Sequence, residues 1–172
     1  MVILEKKVEG AAATELNRFV RAAQSLAGVS GEVNVLITSS RRVQELNRRF
    51  RRKDKPTDVL SFPRAEGGDI AISAEIARDN ARRYGHPSIV ELKILVLHGM
   101  LHLAGYDHER DNGRMAAREA RLRAQLRLPA ALIERASANG AEPSRTKSRT
   151  SHTSARNTVK RIRAARQRRR RP

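Results

Sequence analysis

The stretch HGMLHLAGYDH, from His98 to His108, constrains this chain more than any other and contains three of its five histidines. In a helix, residues four apart lie on one face, so His98 and His102 point the same way. Gly105 allows the backbone to leave the helix in a left-handed conformation, which lets His108 turn back towards the other two. Three neutral imidazoles with an open fourth position are the ligand set of a catalytic zinc. The spacing therefore predicts a site for one Zn²⁺ ion, although nickel, copper or iron could also bind three nitrogens.

Two other interpretations of these histidines are weaker. A single histidine on a buried helix is usually a core residue, but two polar rings four apart in an apolar helix would both need partners. Metzincin proteases share the spacing in their motif H-E-x-x-H-x-x-G-x-x-H. Here Gly99 replaces the general-base glutamate, so peptide hydrolysis would lack its proton acceptor. Met115 could suggest the Met-turn of these enzymes, but it falls on the next predicted helix and is interpreted as a core residue.

Hydrophobic periodicity predicts an α+β fold, in which a small mixed β-sheet packs with helices. Predicted strands cover Val2–Val8, Val33–Thr38, Thr57–Phe62 and Asp69–Ser73, and the last two are expected to form an antiparallel pair. The first two predicted helices begin near Thr14 and at Ser39 or Ser40, and the second places Val43, Leu46, Asn47 and Phe50 on one side. The later helices are predicted over Ala74–Tyr84, Glu91–Leu103 and about Asn112–Leu126.

The helix that carries His98 and His102 is apolar nearly all round and is therefore predicted to be central and buried. The sequence Ser88-Ile89-Val90-Glu91 has the S-x-x-E pattern of a capping box, which predicts the start of this helix. Gly105 is predicted to end it.

Charge divides the chain into a domain at residues 1–130 and a basic tail at residues 131–172. The formal net charge is +18, and the last 36 residues hold 12 Lys+Arg against one acid, Glu142. Such a tail has too few large apolar residues to fold alone, so we expect it to be disordered and to contact RNA. Cysteine is absent, and no stretch has the pattern of a signal peptide or a membrane span, so a cytoplasmic protein without a membrane partner is expected.

Three motifs together resemble those of the YbeY family. HGMLHLAGYDH matches the family signature H-G-x-L-H-L-x-G-Y-D-H at every fixed position. Upstream, ELNRRFRRKDKPTDVLSFP (Glu45–Pro63) resembles the second block of the family and GDIAIS (Gly68–Ser73) the third, in the same order and at similar spacing. The resemblance covers roughly Val2 to Pro129 and leaves out the basic tail.

The resemblance implies a single-domain, zinc-dependent, single-strand-specific endoribonuclease. Such enzymes act in ribosomal RNA maturation, notably at the 3′ end of small-subunit (16S) rRNA, and in ribosome quality control. It implies ribosomal RNA and the small ribosomal subunit as partners and leaves ribosome assembly proteins open as further ones. It assigns metal binding to His98, His102 and His108, and a catalytic role to Arg51.

The residues themselves leave several roles open. Asp107 could orient a ligand histidine, and Asp58 and Asp69 could act as acids or only cap local structure. Tyr106 could stack, donate a hydrogen bond or pack beside the site. His86 and His152 are poorly placed to supply a fourth ligand. A non-catalytic ribosome assembly or RNA-binding factor with structural zinc is the alternative function, and it would need such a ligand.

Overall fold

The computed structural model describes residues 1–129, which form four strands and five helices. The α+β class and the mixed sheet predicted from the sequence are confirmed, whereas the predicted tail lies outside the described residues. In chain order the elements are β1 (Val2–Leu4), α1 (Ala13–Ala27), β2 (Val33–Thr38), α2 (Ser40–Arg51), β3 (Val59–Pro63), β4 (Gly68–Ser73), α3 (Ala74–Tyr84), α4 (Ser88–Leu103) and α5 (Arg114–Gln125).

The four strands form one sheet in the order β1-β2-β4-β3. Strand β2 is parallel to both β1 and β4, with Val35 opposite Val2 on one side and Ile70 on the other. Strand β3 runs antiparallel to β4, as the sequence predicted, and Ser61 lies opposite Ile70. The order leaves β3 at an edge of the sheet.

Alternating side chains divide the sheet into two buried faces. Ile70 and Ile72 of β4 belong to the main core, which also contains the apolar residues of α1 and α4. Ala71, between them, packs with Leu60 and Val43 in a smaller cluster under α2. Helix α2 therefore covers the face of β3 and β4 opposite to α4.

Helix α4 lies at the centre of the fold, as its apolar sequence predicted. Ten consecutive or nearly consecutive residues from Glu91 to Leu101 are buried, and the helix packs against α1, α3, α5, β3 and β4. Within residues 1–129 no helix combines the length and apolar character needed to cross a membrane.

Two predicted element boundaries were wrong. Strand β1 ends at Leu4 rather than Val8, because the N–H groups of Glu5 and Lys6 both donate to the carbonyl of Ile37, at 2.9 and 3.2 Å, which ends the regular ladder. The capping box does not form: α4 already begins at Ser88, and its N-cap, Pro87, has no side-chain hydrogen bond to offer.

Other differences are smaller. Strand β3 begins at Val59 rather than Thr57, and α5 begins at Arg114 rather than Asn112. Ser39 caps α2 as predicted by accepting from the N–H of Arg42, but Phe50, expected on the buried side of this helix, is 57% exposed.

Gly99 allows α4 to approach the sheet closely. A Cβ atom at this position would lie 2.9 Å from Cγ2 of Ile70 and 3.0 Å from Oγ of Ser61, closer than packed atoms tolerate. The Ser61 hydroxyl also donates to the carbonyl of Gly99, at 3.1 Å. A glutamate at the metzincin position would therefore project into the sheet.

We predict that Gly99→Ala lowers the free energy of unfolding by about 1 kcal/mol. Overpacking costs about 1–3 kcal/mol, which outweighs the helix-propensity gain of about 1 kcal/mol. Urea denaturation measures the change. Ile70→Val removes one contacting methyl group, 3.1 Å from the new Cβ, so it should cost less in the Gly99→Ala background than in the wild type. If the losses of unfolding free energy in the two single variants simply added up in the double variant, the predicted contact between the new Cβ and Ile70 would be wrong.

Candidate metal centre

Three histidines from the end of α4 and the following loop converge on one point. His98 and His102 lie one helical turn apart, and Gly105, with a φ of 87°, turns the chain so that His108 faces them. The ring centroids are 4.8 Å apart for His98 and His102 and 5.4 Å apart for each of these with His108. One nitrogen from each ring lies within 4.8 Å of the others, an arrangement that could hold a metal ion.

The turn after α4 orients the ring of His102. Its Nδ1 lies 3.0 Å from the carbonyl oxygen of Tyr106, an acceptor that requires the hydrogen to be on Nδ1. The Tyr106 N–H in turn donates to the carbonyl of Leu101, at 3.0 Å, which holds the turn against the helix. The lone pair of His102 is therefore on Nε2.

Helix α5 orients the ring of His98. The Nδ1 of His98 lies 3.1 Å from Oε2 of Glu119, and the other carboxylate oxygen of Glu119 accepts from Nε of Arg123 at 2.8 Å and also from its Nη2. Arg123 also donates to the carbonyl of Pro129, at 2.9 Å. Glu119 and Arg123 are each only 1% exposed. This buried ion pair holds the hydrogen of His98 on Nδ1 and its lone pair on Nε2.

The two nitrogens that carry the lone pairs of the neutral rings lie close together. Nε2 of His98 and Nε2 of His102 are 3.2 Å apart, and with the hydrogens on Nδ1 neither neutral ring can donate to the other. Two nitrogens bound tetrahedrally to one zinc at about 2.0–2.1 Å are about 3.3–3.4 Å apart. The spacing and the donor atoms both fit a zinc ion, which would replace the repulsion of the lone pairs by two bonds.

The local environment favours the protonation states that metal binding needs. Burial, followed by the neighbouring His98, lowers the pKa of His102 to about 4, so this ring is neutral at pH 7. Burial alone would raise the pKa of the Glu119 carboxyl, but the hydrogen bond from His98, the charge that His98 carries when protonated, and then the charge of Arg123 outweigh it and hold the pKa below its usual value. Glu119 is therefore an anion that can support a cation bound to His98.

The histidines open onto a cleft of about 700 Å³ that runs along the edge strand β3. Arg51, at the C-terminal end of α2, lines the same cleft and is exposed. The sequence prediction therefore names four residues that the fold brings to one cavity. Other polar residues of the lining are Thr57, Asp58, Ser61, Asn80, Tyr84, Asp107, Glu109 and Arg110.

The acidic candidates have mostly local roles. Asp58 lines the cleft, but its Oδ1 accepts from the N–H of Val59 and so caps the start of β3. Asp107 lines the cleft, and its contacts are with its own loop: Oδ1 accepts from the N–H of Glu109, at 3.1 Å, and Oδ2 lies 3.8 Å from Nε of Arg110. Asp69 lies outside the cleft lining, and its Oδ1 accepts a hydrogen bond from Nδ2 of Asn34.

Sequence reasoning missed Glu119 and Arg123. Both lie on the buried face of α5, with Met115 and Leu122, and Met115 is a core residue as predicted. A glutamate and an arginine four apart on the apolar side of an amphipathic helix would have been the signal, because buried charges need specific partners. The sequence gives no indication that their partner is His98.

A fourth protein ligand is absent from the part of the chain that the structure describes. The three histidines form a metal-ligating group without an added carboxylate or imidazole. His86 is engaged elsewhere, with its Nε2 3.1 Å from a carboxylate oxygen of buried Glu91. His152 lies outside the described residues. An open coordination position is what catalysis requires.

Residues 3–127 match the family model for "Endoribonuclease YbeY". A protein of that name from Koribacter versatilis is 56% identical over 138 residues, which cover 78% of this chain and 91% of the relative. Another, from Solibacter usitatus, is 50% identical over 122 residues, covering 70% and 83%. A solution structure of a Thermotoga maritima protein covers 84% of this chain and 99% of its own, at 28% identity and a TM-score of 0.49. The family match extends from β1 to the end of α5.

We predict that Glu119→Gln weakens zinc binding about 10- to 100-fold, because the amide cannot offer a negative charge to His98. Competition with a chromogenic chelator measures the affinity. The substitution also leaves Arg123 without its anionic partner in the core, which by itself is destabilising.

A double variant separates these two effects. Glu119→Gln combined with Arg123→Met removes both buried charges, so the unfolding free energy should recover while zinc affinity stays low. Wild-type zinc affinity in the double variant would show that the carboxylate does not support the ligand.

Acid should destabilise the protein after metal removal by a chelator. The pKa of His102 is about 4 in the folded chain and has its ordinary value of 6.5 in the unfolded chain, so the unfolded chain binds one more proton between these pH values. The contribution of neutral His102 to the free energy of unfolding is therefore fully present above pH 6.5 and is lost as the pH falls towards 4. Urea midpoints recorded across this range measure the effect, and the decline should be shallower in His102→Gln. Parallel curves for both proteins would refute the prediction.

Proposed function

The chain belongs to the YbeY endoribonuclease family, and we propose that it is a metal-dependent endoribonuclease that acts in ribosomal RNA processing. The observation that carries this function is the convergence of three imidazole nitrogens and Arg51 on one open cleft. A metal and a guanidinium at one cavity suit a reaction in which negative charge develops on phosphate.

The donor set supports zinc as the metal, with His98, His102 and His108 as the ligands. All three donors are imidazole nitrogens, and the 3.2 Å between two of them suits tetrahedral zinc. A bound zinc ion supplies Lewis acidity, which polarises a phosphoryl oxygen or lowers the pKa of a water to about 7.

Arg51 is proposed to bind the scissile phosphate. Its guanidinium can donate two parallel hydrogen bonds to phosphate oxygens, and its charge offsets charge that develops during cleavage. Its position supports this role, because it lines the cleft on the α2 side of β3 whereas the histidines come from α4. A phosphate in the cleft would thus be held from two directions.

We infer that the substrate is single-stranded RNA of the small ribosomal subunit, with the 3′ end of 16S rRNA and ribosome quality control as the setting. The charge of +18 supports a polyanionic partner, and the predicted tail would add salt-sensitive RNA affinity. Ribosome assembly proteins are proposed as further partners. The alternative, a non-catalytic assembly factor, is less favoured because structural zinc normally has four protein ligands.

Immature small ribosomal subunits with 3′-extended rRNA provide the test. We expect zinc-loaded wild type to cleave the extension, His102→Ala to lose both zinc and cleavage, and Arg51→Ala to keep zinc while kcat/KM falls about 10²-fold. RNA ends are mapped by sequencing, and zinc content is measured by mass spectrometry.

Arg41→Ala is the matched control, since Arg41 is an exposed arginine of α2 outside the cleft lining, and it should cleave like wild type. Equal cleavage by every variant would indicate a contaminating nuclease. Tight binding to the subunit without cleavage by the wild type would favour the assembly factor.

A further inference from the structure

Phe50 is a large apolar side chain that the fold leaves in solvent. It lies one residue before Arg51, at the C-terminal end of α2, and is 57% exposed. The same helix buries Val43 and Asn47, so its apolar face ends before Phe50. The ring therefore contributes little to the core and presents most of its surface to the surroundings.

Two neighbours hold the ring in place. Phe62 of β3 contacts it edge-on, with ring centroids 5.2 Å apart and an interplanar angle of 66°. The guanidinium of Arg49 lies over one face of the ring, with its central carbon 5.2 Å from the Phe50 centroid. An exposed ring that is held by an edge-on ring and by a cation over one face has restricted motion, so stacking a planar group on its other face costs little conformational entropy.

The charge around Phe50 selects the class of partner. The basic cluster beside the ring consists of Arg48, Arg49, Arg51, Arg52, Lys53 and Lys55, all exposed. Within residues 1–129, only Arg48 of this cluster has a carboxylate within ion-pair distance, Asp54 at 4.0 Å. An apolar protein surface would have to desolvate these cations, whereas a polyanion would neutralise them. Aromatic rings among cations are typical of surfaces that bind single-stranded nucleic acid.

The ring of Phe50 lies next to the cleft, on the other side of the edge strand β3. Phe62, which supports Phe50, alternates along β3 with Ser61 and Pro63, and both of these line the cleft. Arg51 links the two places, because it lines the cleft and directly follows Phe50 in the chain. An RNA strand with one phosphate bound by Arg51 would leave the cleft past the edge of β3 towards Phe50.

We propose that Phe50 is a stacking platform for an unpaired RNA base next to the phosphate bound by Arg51. The proposal rests on the proposed function and gives it a structural basis for preferring single strands. Stacking uses the face of a base, which is blocked by neighbouring bases in a duplex, and it discriminates little between base types. Phe50 is thus a binding and specificity residue for RNA.

The test compares binding of the full-length protein to two probes in moderate salt, which weakens contacts of charge alone. One probe is an unstructured RNA of about a dozen nucleotides with a 2-aminopurine, and the other is the duplex of the same sequence. We expect Phe50→Leu, which keeps an apolar side chain against Phe62, to raise the Kd for the single strand about tenfold, or about 1.4 kcal/mol. Duplex affinity should not change, and Phe50→Trp should bind the single strand at least as tightly as wild type.

Leu26→Ala is the matched control, since Leu26 is an exposed apolar residue of α1 outside the basic cluster and the cleft. It should leave both affinities and the 2-aminopurine quenching unchanged. An equal loss for single strand and duplex in Phe50→Leu, or no loss for either, would overturn the stacking role. A loss confined to assembled subunits would also overturn it, in favour of a protein contact.

The outcomes separate this inference from the proposed function. Phe50-dependent binding of the single strand without cleavage by zinc-loaded wild type would overturn only the nuclease. Cleavage by the wild type with single-strand binding that is independent of Phe50 would overturn only the stacking platform.

Discussion

The metal centre depends on the two acceptors that hold hydrogens on the Nδ1 atoms of His98 and His102. The carboxylate of Glu119 and the carbonyl of Tyr106 both lie about 3 Å from these nitrogens. As a result the lone pairs of both rings are on neighbouring Nε2 atoms, where a bound cation would remove their repulsion. The core must therefore contain a charged glutamate, and the buried guanidinium of Arg123 makes that charge tolerable by pairing with it.

The rest of the fold places these groups at the cleft. Helix α4 can lie directly on β3 and β4 because Gly99 has no side chain, and this brings the histidines level with the edge strand. The edge strand forms one wall of the cleft, with α2 behind it, so Arg51 reaches the same cavity from the opposite face of the sheet. The three histidines and Arg51, the proposed phosphate-binding residue, thus come from different layers of the fold.

Buried and exposed groups contribute differently to the site. The interior supplies orientation, because Glu119 and Arg123, which lie behind His98, are buried and hydrogen-bonded to each other. The surface supplies charge, because the basic cluster beside Phe50 is exposed and carries one close carboxylate among the described residues. A surface of this charge attracts polyanions such as RNA, and in the proposed function the metal centre positions the bond that reacts.

The sequence alone determined the histidine cluster, the class of fold and the burial of α4, because each follows from spacing within one element. Four residues make one helical turn, a glycine reverses the chain, and an all-round apolar helix must be central. The pairing of Glu119 with His98, 21 residues apart, the end of β1 and the exposure of Phe50 were decided only by the tertiary structure. These features depend on how separate elements pack, and periodicity within an element does not specify which neighbour its faces will meet.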